Sequence, residues 1–234
     1  MTGLDVIIGP EVNSYTQTYH VMLEYLKRVP VKTVIEIGAS SGGGTTEALI
    51  NGILMGPTKG EGVKMASIEV SRARFKNLQE RYLGVPFFTP YNTSSLPLSR
   101  FPTHEQLIQF CKDTGVFGNT YDGVIGWLDQ DVKYVIDNNF DENGIQKIKD
   151  DFGVTKFDLA CIDASEFLGN EEFKELPDCD AYILDDINVH KNWHSHRELL
   201  KNPDYVLLFE EKIRNGSSLF CKKEIARKYL GLMV

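Results

Sequence analysis

Short apolar runs alternate with amphipathic segments along most of this chain, and this alternation constrains the fold more than any other feature. In the clearest unit, an apolar run at 33–37 leads through a glycine-rich turn into a helical segment at 45–54. Further strands are predicted at 63–68, 85–89, 157–162, 181–184, 205–209 and 219–222. Strands that alternate with helices form a mostly parallel sheet covered on both faces. The pattern predicts a doubly wound, Rossmann-like α/β fold with a seven-stranded sheet.

Three features modify this simple pattern. An N-terminal amphipathic helix is predicted over 11–29 and closes before Pro30. The dipeptide Asn215-Gly216 is typical of a hairpin, so the last strand should run antiparallel to its neighbour. Residues 96–153 form a predicted helical insertion, with helices at 103–112, 128–138 and 143–152, which should cap the carboxyl end of the sheet. We expect residues 1–234 to form a single domain.

Charge and cysteine content narrow the class of partner. A net charge of -8 argues against a nucleic-acid-binding protein, which needs clustered basic residues. The four cysteines form no C-x-x-C pair, which favours free thiols in a reducing, cytoplasmic compartment. No apolar run approaches the ~20 residues of a membrane span, and the first residues lack the cationic-then-apolar pattern expected of a signal segment. The expected partner is therefore a small molecule, with no membrane involved.

Acidic residues collect where the predicted strands end. They are Glu36, Glu69, Asp163, Asp185 and Asp186, and they surround the glycine-rich turn at 38–45. In open α/β sheets, ligands bind outside the carboxyl ends of the strands. Glycine allows the backbone of such a turn to approach a ligand closely. An acid after the second strand, here Glu69, is placed to accept both hydroxyls of a ribose. The arrangement predicts a site for a nucleotide-like ligand.

Several of these segments resemble motifs of class I S-adenosylmethionine-dependent methyltransferases, closest to the small-molecule and sugar O-methyltransferases (macrocin O-methyltransferase-like). The segment that resembles the first motif is Val34-Ile35-Glu36-Ile37-Gly38 with Gly42-Gly43-Gly44-Thr45. The segments that resemble the second, third and fourth motifs are Ser67-Ile68-Glu69, Asn92-Thr93-Ser94 and residues 157–164. Residues 183–187 and the closing Asn215-Gly216 with Leu219-Phe220 also resemble the subgroup. The similarity covers residues 31–95 and 154–223.

The resemblance implies that the chain binds S-adenosylmethionine and methylates a small-molecule acceptor, with a sugar or natural-product-like hydroxyl as the expected target. It implies that Glu36 and the turn face the methionine part of the cofactor, and that Glu69 holds the ribose. Asn92 and Ser94 would border the adenine. The cofactor-binding residues predicted in this way are Glu36, Gly38, Ala39, Ser40, Gly42, Thr45, Glu69, Asn92, Ser94 and Asp163.

The resemblance also raises the use of a metal. In several relatives, acids after the fourth and fifth strands hold a divalent ion, and Asp163, Asp185 and Asp186 occupy the matching positions. Oxygen ligands suit Mg²⁺. However, Ala164 follows Asp163 where relatives often carry glycine, and Asp186 stands where catechol-type enzymes carry asparagine. The sequence leaves the use of Mg²⁺ open.

Proton removal from the acceptor needs a base, and three histidines follow the fifth strand. A histidine can accept a proton near neutral pH. His190 is the first candidate for this role and His194 the second, whereas His196 is not assigned one. Asp163, which the resemblance places near the sulfonium and the acceptor, is the third predicted catalytic residue.

Two alternatives to a methyltransferase remain open from the sequence. One is a catalytically silent cofactor-binding module of the same fold. The other is a short-chain dehydrogenase, because Gly38, Gly42 and Gly44 imitate that family's phosphate-binding loop. The chain lacks that family's Tyr-x-x-x-Lys pair. The sequence determines neither the acceptor nor the oligomeric state, for which a homodimer is one expectation.

Overall fold

In the computed structural model, which describes residues 3–7, 9, 12–116 and 121–234, seven strands form one sheet. They are β1 (Thr33–Ile37), β2 (Lys64–Ile68), β3 (Phe88–Tyr91), β4 (Leu159–Ile162), β5 (Ala181–Asp185), β6 (Tyr205–Glu211) and β7 (Ser217–Lys222). Their order across the sheet is β3-β2-β1-β4-β5-β7-β6. The first five strands pair in parallel, and β7 pairs antiparallel with both β5 and β6. The predicted doubly wound sheet with an antiparallel C-terminal hairpin is confirmed.

Helices flank this sheet. They are α1 (Gln17–Arg28), α2 (Thr45–Met55), α3 (Arg72–Arg81), α4 (His104–Thr114), α5 (Tyr121–Asn138), α6 (Gly144–Phe152), α7 (Gly169–Glu175), α8 (Trp193–Lys201) and α9 (Lys223–Ile225). Short 3₁₀ turns occur at Gly3–Asp5 and Leu98–Arg100, and a π-helical turn at Ala226–Leu230 follows α9. Within the described ranges, every helix is too short or too polar to cross a lipid bilayer.

Two hydrophobic layers cover the two faces of the sheet. Because successive side chains of a strand point to opposite faces, Val34 packs into one layer whereas Ile35 and Ile37 pack into the other. The first layer contains apolar residues of α1 and α2. The second contains Ile145 and Ile148 of α6. Burial on both faces explains why β1 is apolar almost throughout.

The differences between predicted and observed element boundaries include those of the N-terminal helix and of the third strand. The N-terminal helix, predicted over 11–29, begins at Gln17; residue 11 itself lies outside the described residues. Asn13 and Thr16 hydrogen-bond through the Thr16 hydroxyl and close a turn ahead of it. The third strand, predicted at 85–89, is β3 at Phe88–Tyr91. Pro90 is tolerated there because β3 is an edge strand.

The segment predicted as a helical insertion, 96–153, divides into two parts. Helices α4 and α5 pack on each other through a separate cluster that includes Phe110 and Leu128, and residues 117–120 between them lie outside the described residues. Helix α6 instead packs on the sheet, as an ordinary connection between β3 and β4 does. Helix α5 begins at Tyr121, seven residues before the predicted start at 128, because Val124 is buried in the same cluster.

Candidate functional site

A cavity of about 340 Å³ lies at the carboxyl ends of β1, β2 and β4. This volume is within the range of small-molecule sites. Seven of the predicted cofactor-binding residues line its wall: Gly38, Ala39, Ser40, Thr45, Glu69, Ser94 and Asp163. Asp186 also lines it. The strand-end acids and the glycine-rich turn therefore meet at one cavity.

The turn between β1 and α2 depends on glycine at its first position. Gly38 has a φ of 93°, and a Cβ built there would lie 2.0 Å from the carbonyl oxygen of Asp163. The N–H groups of Gly38 and Ala39 donate to the carbonyl of Ile68, at 3.0 and 3.1 Å. The turn is therefore held between the ends of β2 and β4, with its backbone against the cavity. Gly42, although part of this turn, packs near the Tyr82 ring and is not in the cavity wall.

The Glu69 carboxylate connects the turn to the end of β2. Its Oε2 accepts the backbone N–H of Ser40 at 2.7 Å, and its Oε1 accepts the backbone N–H of Ser71 at 2.8 Å. Burial raises the pKa of this carboxyl, and the two backbone N–H groups and Arg74 oppose that shift. The carboxylate is therefore held in place beside the glycine-rich turn, in a residue that lines the cavity.

Glu36 lies beneath the turn and not in the cavity wall. Its carboxylate is fully buried and accepts hydrogen bonds from the hydroxyls of Thr45 at 2.5 Å, Thr46 at 2.8 Å and Ser67 at 2.5 Å. Burial raises its pKa, and these hydroxyls oppose the shift. The expectation that Glu36 faces the cofactor is therefore not supported, because its oxygens fix the start of α2 to β1 and β2.

The two predicted adenine-side residues occupy different positions. Ser94 lines the cavity together with Thr93 and Ser95. Asn92 is not in the cavity wall, because its side-chain amide donates to the carbonyls of Glu69 at 2.7 Å and Val70 at 3.1 Å. Asn92 therefore stabilises the segment after β2, and both of the residues that it holds, Glu69 and Val70, line the cavity.

The three acids predicted as metal ligands do converge. Oxygens of Asp163, Asp185 and Asp186 lie within 4.8 Å of one another. A lysine that was not predicted as a site residue lies among them: Lys191 Nζ is 3.1 Å from Asp163 Oδ1 and 2.6 Å from Asp186 Oδ2. Arg214 approaches Asp185 Oδ2 at 3.7 Å. Side chains of the chain itself therefore offset the negative charge of the cluster.

Protonation within this cluster is strongly perturbed. Burial raises the pKa of Asp163 to about 6, although the charge of Lys191 opposes the shift. Burial and the neighbouring carboxylates Asp163 and Asp186 raise the pKa of Asp185 well above its usual range. Burial alone would lower the pKa of Lys191, but attraction to Asp163 and Asp186 raises it well above its usual value. Lys191 is therefore charged at neutral pH.

The two histidines predicted as bases do not line the cavity. The His190 ring packs edge-on against Phe110, with centroids 4.6 Å apart, and burial lowers its pKa to about 4. The His194 ring also packs edge-on against Phe110, at 5.7 Å between centroids. Both rings pack against α4 and neither lines the cavity, so the structure does not support either histidine as the base.

Sequence reasoning missed five charged residues in the cavity wall: Lys191, Asp131, Glu172, Arg74 and Glu166. Asp131 lies on α5, three residues after Leu128 and four before Val135, and an acid on an apolar helix face was a usable signal. It accepts the Ser165 hydroxyl at 2.7 Å, and burial raises its pKa to about 6. Lys191 offered a weaker signal, as a lysine five residues after two acids that end a strand.

Glu172 offered no signal that separates it from the other acids of its helix. Its carboxylate is fully buried, and Oε1 accepts the Ser95 hydroxyl at 2.5 Å. Among the described residues its Oε2 has no hydrogen-bond partner. Burial raises the pKa of Glu172 to about 7.

Comparison with known proteins supports the fold described above. No family model matches the sequence, and no curated protein matches it closely enough to be identified as a relative. Among solved structures, the O-methyltransferase from Bacillus cereus, crystallised with SAH, superposes with a TM-score of 0.51 at 12% identity, over 92% of this chain and 84% of that one. A protein from Staphylococcus aureus, proposed to be a caffeoyl-CoA O-methyltransferase, gives a TM-score of 0.51 at 13% identity, over 91% and 85%. At these identities the similarity establishes the fold.

Proposed function

We propose that this protein binds S-adenosylmethionine in the cavity and transfers its methyl group to a hydroxyl-bearing small molecule, such as a sugar or natural product. The observation that carries the proposal is the 2.7 Å hydrogen bond from the Ser40 N–H to Glu69 Oε2, which joins the glycine-rich turn to the acid after β2. Both residues line the same cavity. A ligand that joins a nucleoside to an amino acid, as S-adenosylmethionine does, would contact Ser40 and Glu69 at once.

The residues of the cavity wall fit this cofactor. Each oxygen of Glu69 accepts one backbone N–H, and a carboxylate oxygen can accept two hydrogen bonds, so each can also accept a ribose hydroxyl. Gly38 brings bare backbone to the wall, where the amino-acid part can approach it closely. Thr93 and Ser94 would border the base. S-adenosylmethionine supplies a methyl group on a sulfonium, whose sulfur is already an activated leaving group.

The chain's contribution to the reaction includes positioning of the reactants and exclusion of water. Phe101, Val135 and Leu168 place apolar surface in the cavity wall that also contains Asp163. An enclosed, oriented pair of reactants reacts faster because little translational and rotational freedom remains to be lost. Asp163, whose backbone lies against Gly38, would be between the turn and the acceptor.

The strand order also favours this function over the dehydrogenase alternative. A nicotinamide-binding sheet of the Rossmann type has the order 3-2-1-4-5-6. Here an antiparallel β7 is inserted between β5 and β6. The Bacillus cereus structure is one protein of this fold that was crystallised with SAH, which supports the proposal without assigning an acceptor.

Calorimetry with S-adenosylhomocysteine tests the proposal. We expect micromolar binding to the wild-type protein and no heat with NADPH. Glu69→Gln should weaken binding at least tenfold, about 1.4 kcal/mol. Glu61→Gln, a change of the same kind at an exposed acid, should leave it unaltered. Absence of binding to the wild type, or equal binding by Glu69→Gln, contradicts the proposal. Methylated product detected by mass spectrometry then separates an enzyme from a silent module.

A further inference from the structure

Lys191 holds the position that a divalent ion would need among the three strand-end acids. Its ammonium nitrogen is 2.6 Å from Asp186 Oδ2 and 3.1 Å from Asp163 Oδ1. The side chains of Lys191 and Asp186 are 5% and 7% exposed, so solvent does not separate them. A Lys ammonium is a compact point charge, and here it bridges two carboxylates as a bound cation would.

These residues do not fit Mg²⁺. The ion requires octahedral oxygen coordination at about 2.0–2.1 Å. The Lys191 ammonium already contacts one oxygen of Asp163 and one of Asp186. Oxygens of Asp163, Asp185 and Asp186 lie within 4.8 Å of one another, so the ammonium is already inside the space that the three acids share. Arg214, 3.7 Å from Asp185, adds a second positive charge. A divalent ion would have to displace the Lys191 ammonium and to lie near the positive charge of Arg214.

Asp186 provides a second, independent observation. Its Oδ1 is buried and has no hydrogen-bond partner among the described residues. A buried carboxylate oxygen without a partner is costly unless a ligand or water satisfies it. The residue has a φ of 54°, an uncommon backbone conformation for a non-glycine residue. Both Asp186 and Lys191 line the cavity.

We propose that Lys191 replaces the divalent ion of metal-dependent relatives, and that its remaining N–H together with Asp186 Oδ1 binds the hydroxyl group of the acceptor. An ammonium has three N–H donors, and two of those of Lys191 are used by Asp163 and Asp186. A hydroxyl both accepts and donates, so it matches one donor and one acceptor. An amine acceptor in its charged form would be repelled by Lys191. The identity of the hydroxyl as a methyl acceptor rests on the proposed function, whereas the exclusion of metal does not.

The transfer balances with these two residues. The hydroxyl O–H bond breaks and its proton goes to Asp186 Oδ1, while the Lys191 N–H stabilises the negative charge that develops on the acceptor oxygen. The new oxygen–carbon bond forms from the acceptor's lone pair, and the electrons of the broken sulfur–carbon bond remain on sulfur. The ammonium thus takes the role that a divalent ion would otherwise have.

Manganese binding, followed by electron paramagnetic resonance, tests the metal part. The signal of free Mn²⁺ should be unchanged by the wild-type protein. Lys191→Met, of similar length but without charge, should take up Mn²⁺, and Lys201→Ala, at an exposed lysine, should behave as the wild type. Uptake by the wild type that is lost in Asp163→Asn overturns the proposal. So does a Lys191→Met protein that still binds S-adenosylhomocysteine but takes up no Mn²⁺.

A double-mutant cycle covers the case in which Lys191→Met does not fold. Removal of one partner of a buried ion pair is strongly destabilising because the other charge is left unpaired. Lys191→Met combined with Asp186→Asn removes a charge of each sign and should recover folded protein. If the double variant is no more stable than Lys191→Met, Lys191 is not the counter-ion of this cluster and the proposal fails. S-adenosylhomocysteine binding by the wild type reports separately on the proposed function.

Discussion

Glu172 illustrates how one buried side chain links the cavity to the stability of the protein. Its pKa is raised to about 7 by burial, against an ordinary value of 4.5. The folded protein therefore holds this proton more tightly than the unfolded chain does. The resulting stabilisation is present at low pH and is lost as the pH rises from about 4.5 through about 7.

Replacement of Glu172 by glutamine should remove this pH dependence. The variant keeps a side-chain oxygen that can accept the Ser95 hydroxyl, and it carries no proton to lose. We expect Glu172→Gln to match the wild type near pH 4 and to exceed its free energy of unfolding by about 3 kcal/mol near pH 8. Urea unfolding at the two pH values measures this, with Glu61→Gln as the exposed control. An equal difference at both pH values would contradict the assignment.

Glu36 allows a structural acid to be separated from a ligand-binding one. Because its oxygens accept three hydroxyls, Glu36→Ala should lower the free energy of unfolding by about 3 kcal/mol. Glu36→Gln should cost less and should leave the affinity for S-adenosylhomocysteine within about threefold of wild type, unlike Glu69→Gln. Calorimetry and urea unfolding on both variants provide the measurements. A tenfold loss of affinity for S-adenosylhomocysteine in Glu36→Gln, at unchanged stability, would show that Glu36 binds the cofactor.

At the scale of single residues, the sequence predicts what lies at a strand end but not what contacts it. Glu69 and Asp163 reach the cavity because the carboxyl ends of parallel strands share one edge of the sheet. Glu172 depends on Ser95, 77 residues away, and the two meet only through the packing of α7 beside the loop after β3. Lys191 likewise gains its role from acids that follow two different strands.

At the scale of elements, the turn between β1 and α2 is specified by what cannot fit there. A side chain at Gly38 would collide with the backbone of Asp163 and would also have to adopt a φ of 93°. Gly62 also has a positive φ, of 67°, but open space around it. Comparison of Gly62 with Gly38 therefore separates the cost of backbone strain from the cost of a steric clash.

Alanine substitutions at these two glycines should differ. Gly62→Ala should cost only the strain of a left-handed alanine, about 1–2 kcal/mol. Gly38→Ala should cost more, because the ends of β1 and β4 must separate, and should abolish binding of S-adenosylhomocysteine. Urea unfolding and calorimetry on both variants check this. Equal costs, with binding retained in Gly38→Ala, would show that the turn is not the wall of the cofactor site.

Element boundaries were predictable where local pattern and packing agree. Strands β1 and β2 lie within one residue of their predicted ranges, since both are largely apolar and are followed by a glycine or an acid. Gly123 and Gly126 lower the local helix propensity, so the sequence pattern predicts a late start for α5. The helix starts earlier than predicted because burial of Val124 and Leu128 stabilises its first turns. Tertiary packing, absent from a local pattern, decided that boundary.

At the scale of the whole molecule, the sheet brings together residues from distant parts of the chain. The parallel strands β1, β2 and β4 end at one edge, and the cavity lies there with α5 contributing Asp131 and Val135 to its wall. At the same edge, Lys191 and Arg214 offset the charge of the strand-end acids. The fold thus creates one cavity with a turn, a carboxylate and an internal cation.

The most direct test of the central claim is a crystal structure of the protein with S-adenosylhomocysteine. We predict that the ribose hydroxyls lie within hydrogen-bonding distance of the Glu69 carboxylate and that the amino-acid part follows the backbone from Gly38 to Ser40. Lys191 should still bridge Asp163 and Asp186. A ligand bound elsewhere, or a nucleoside that does not touch Glu69, would contradict the account.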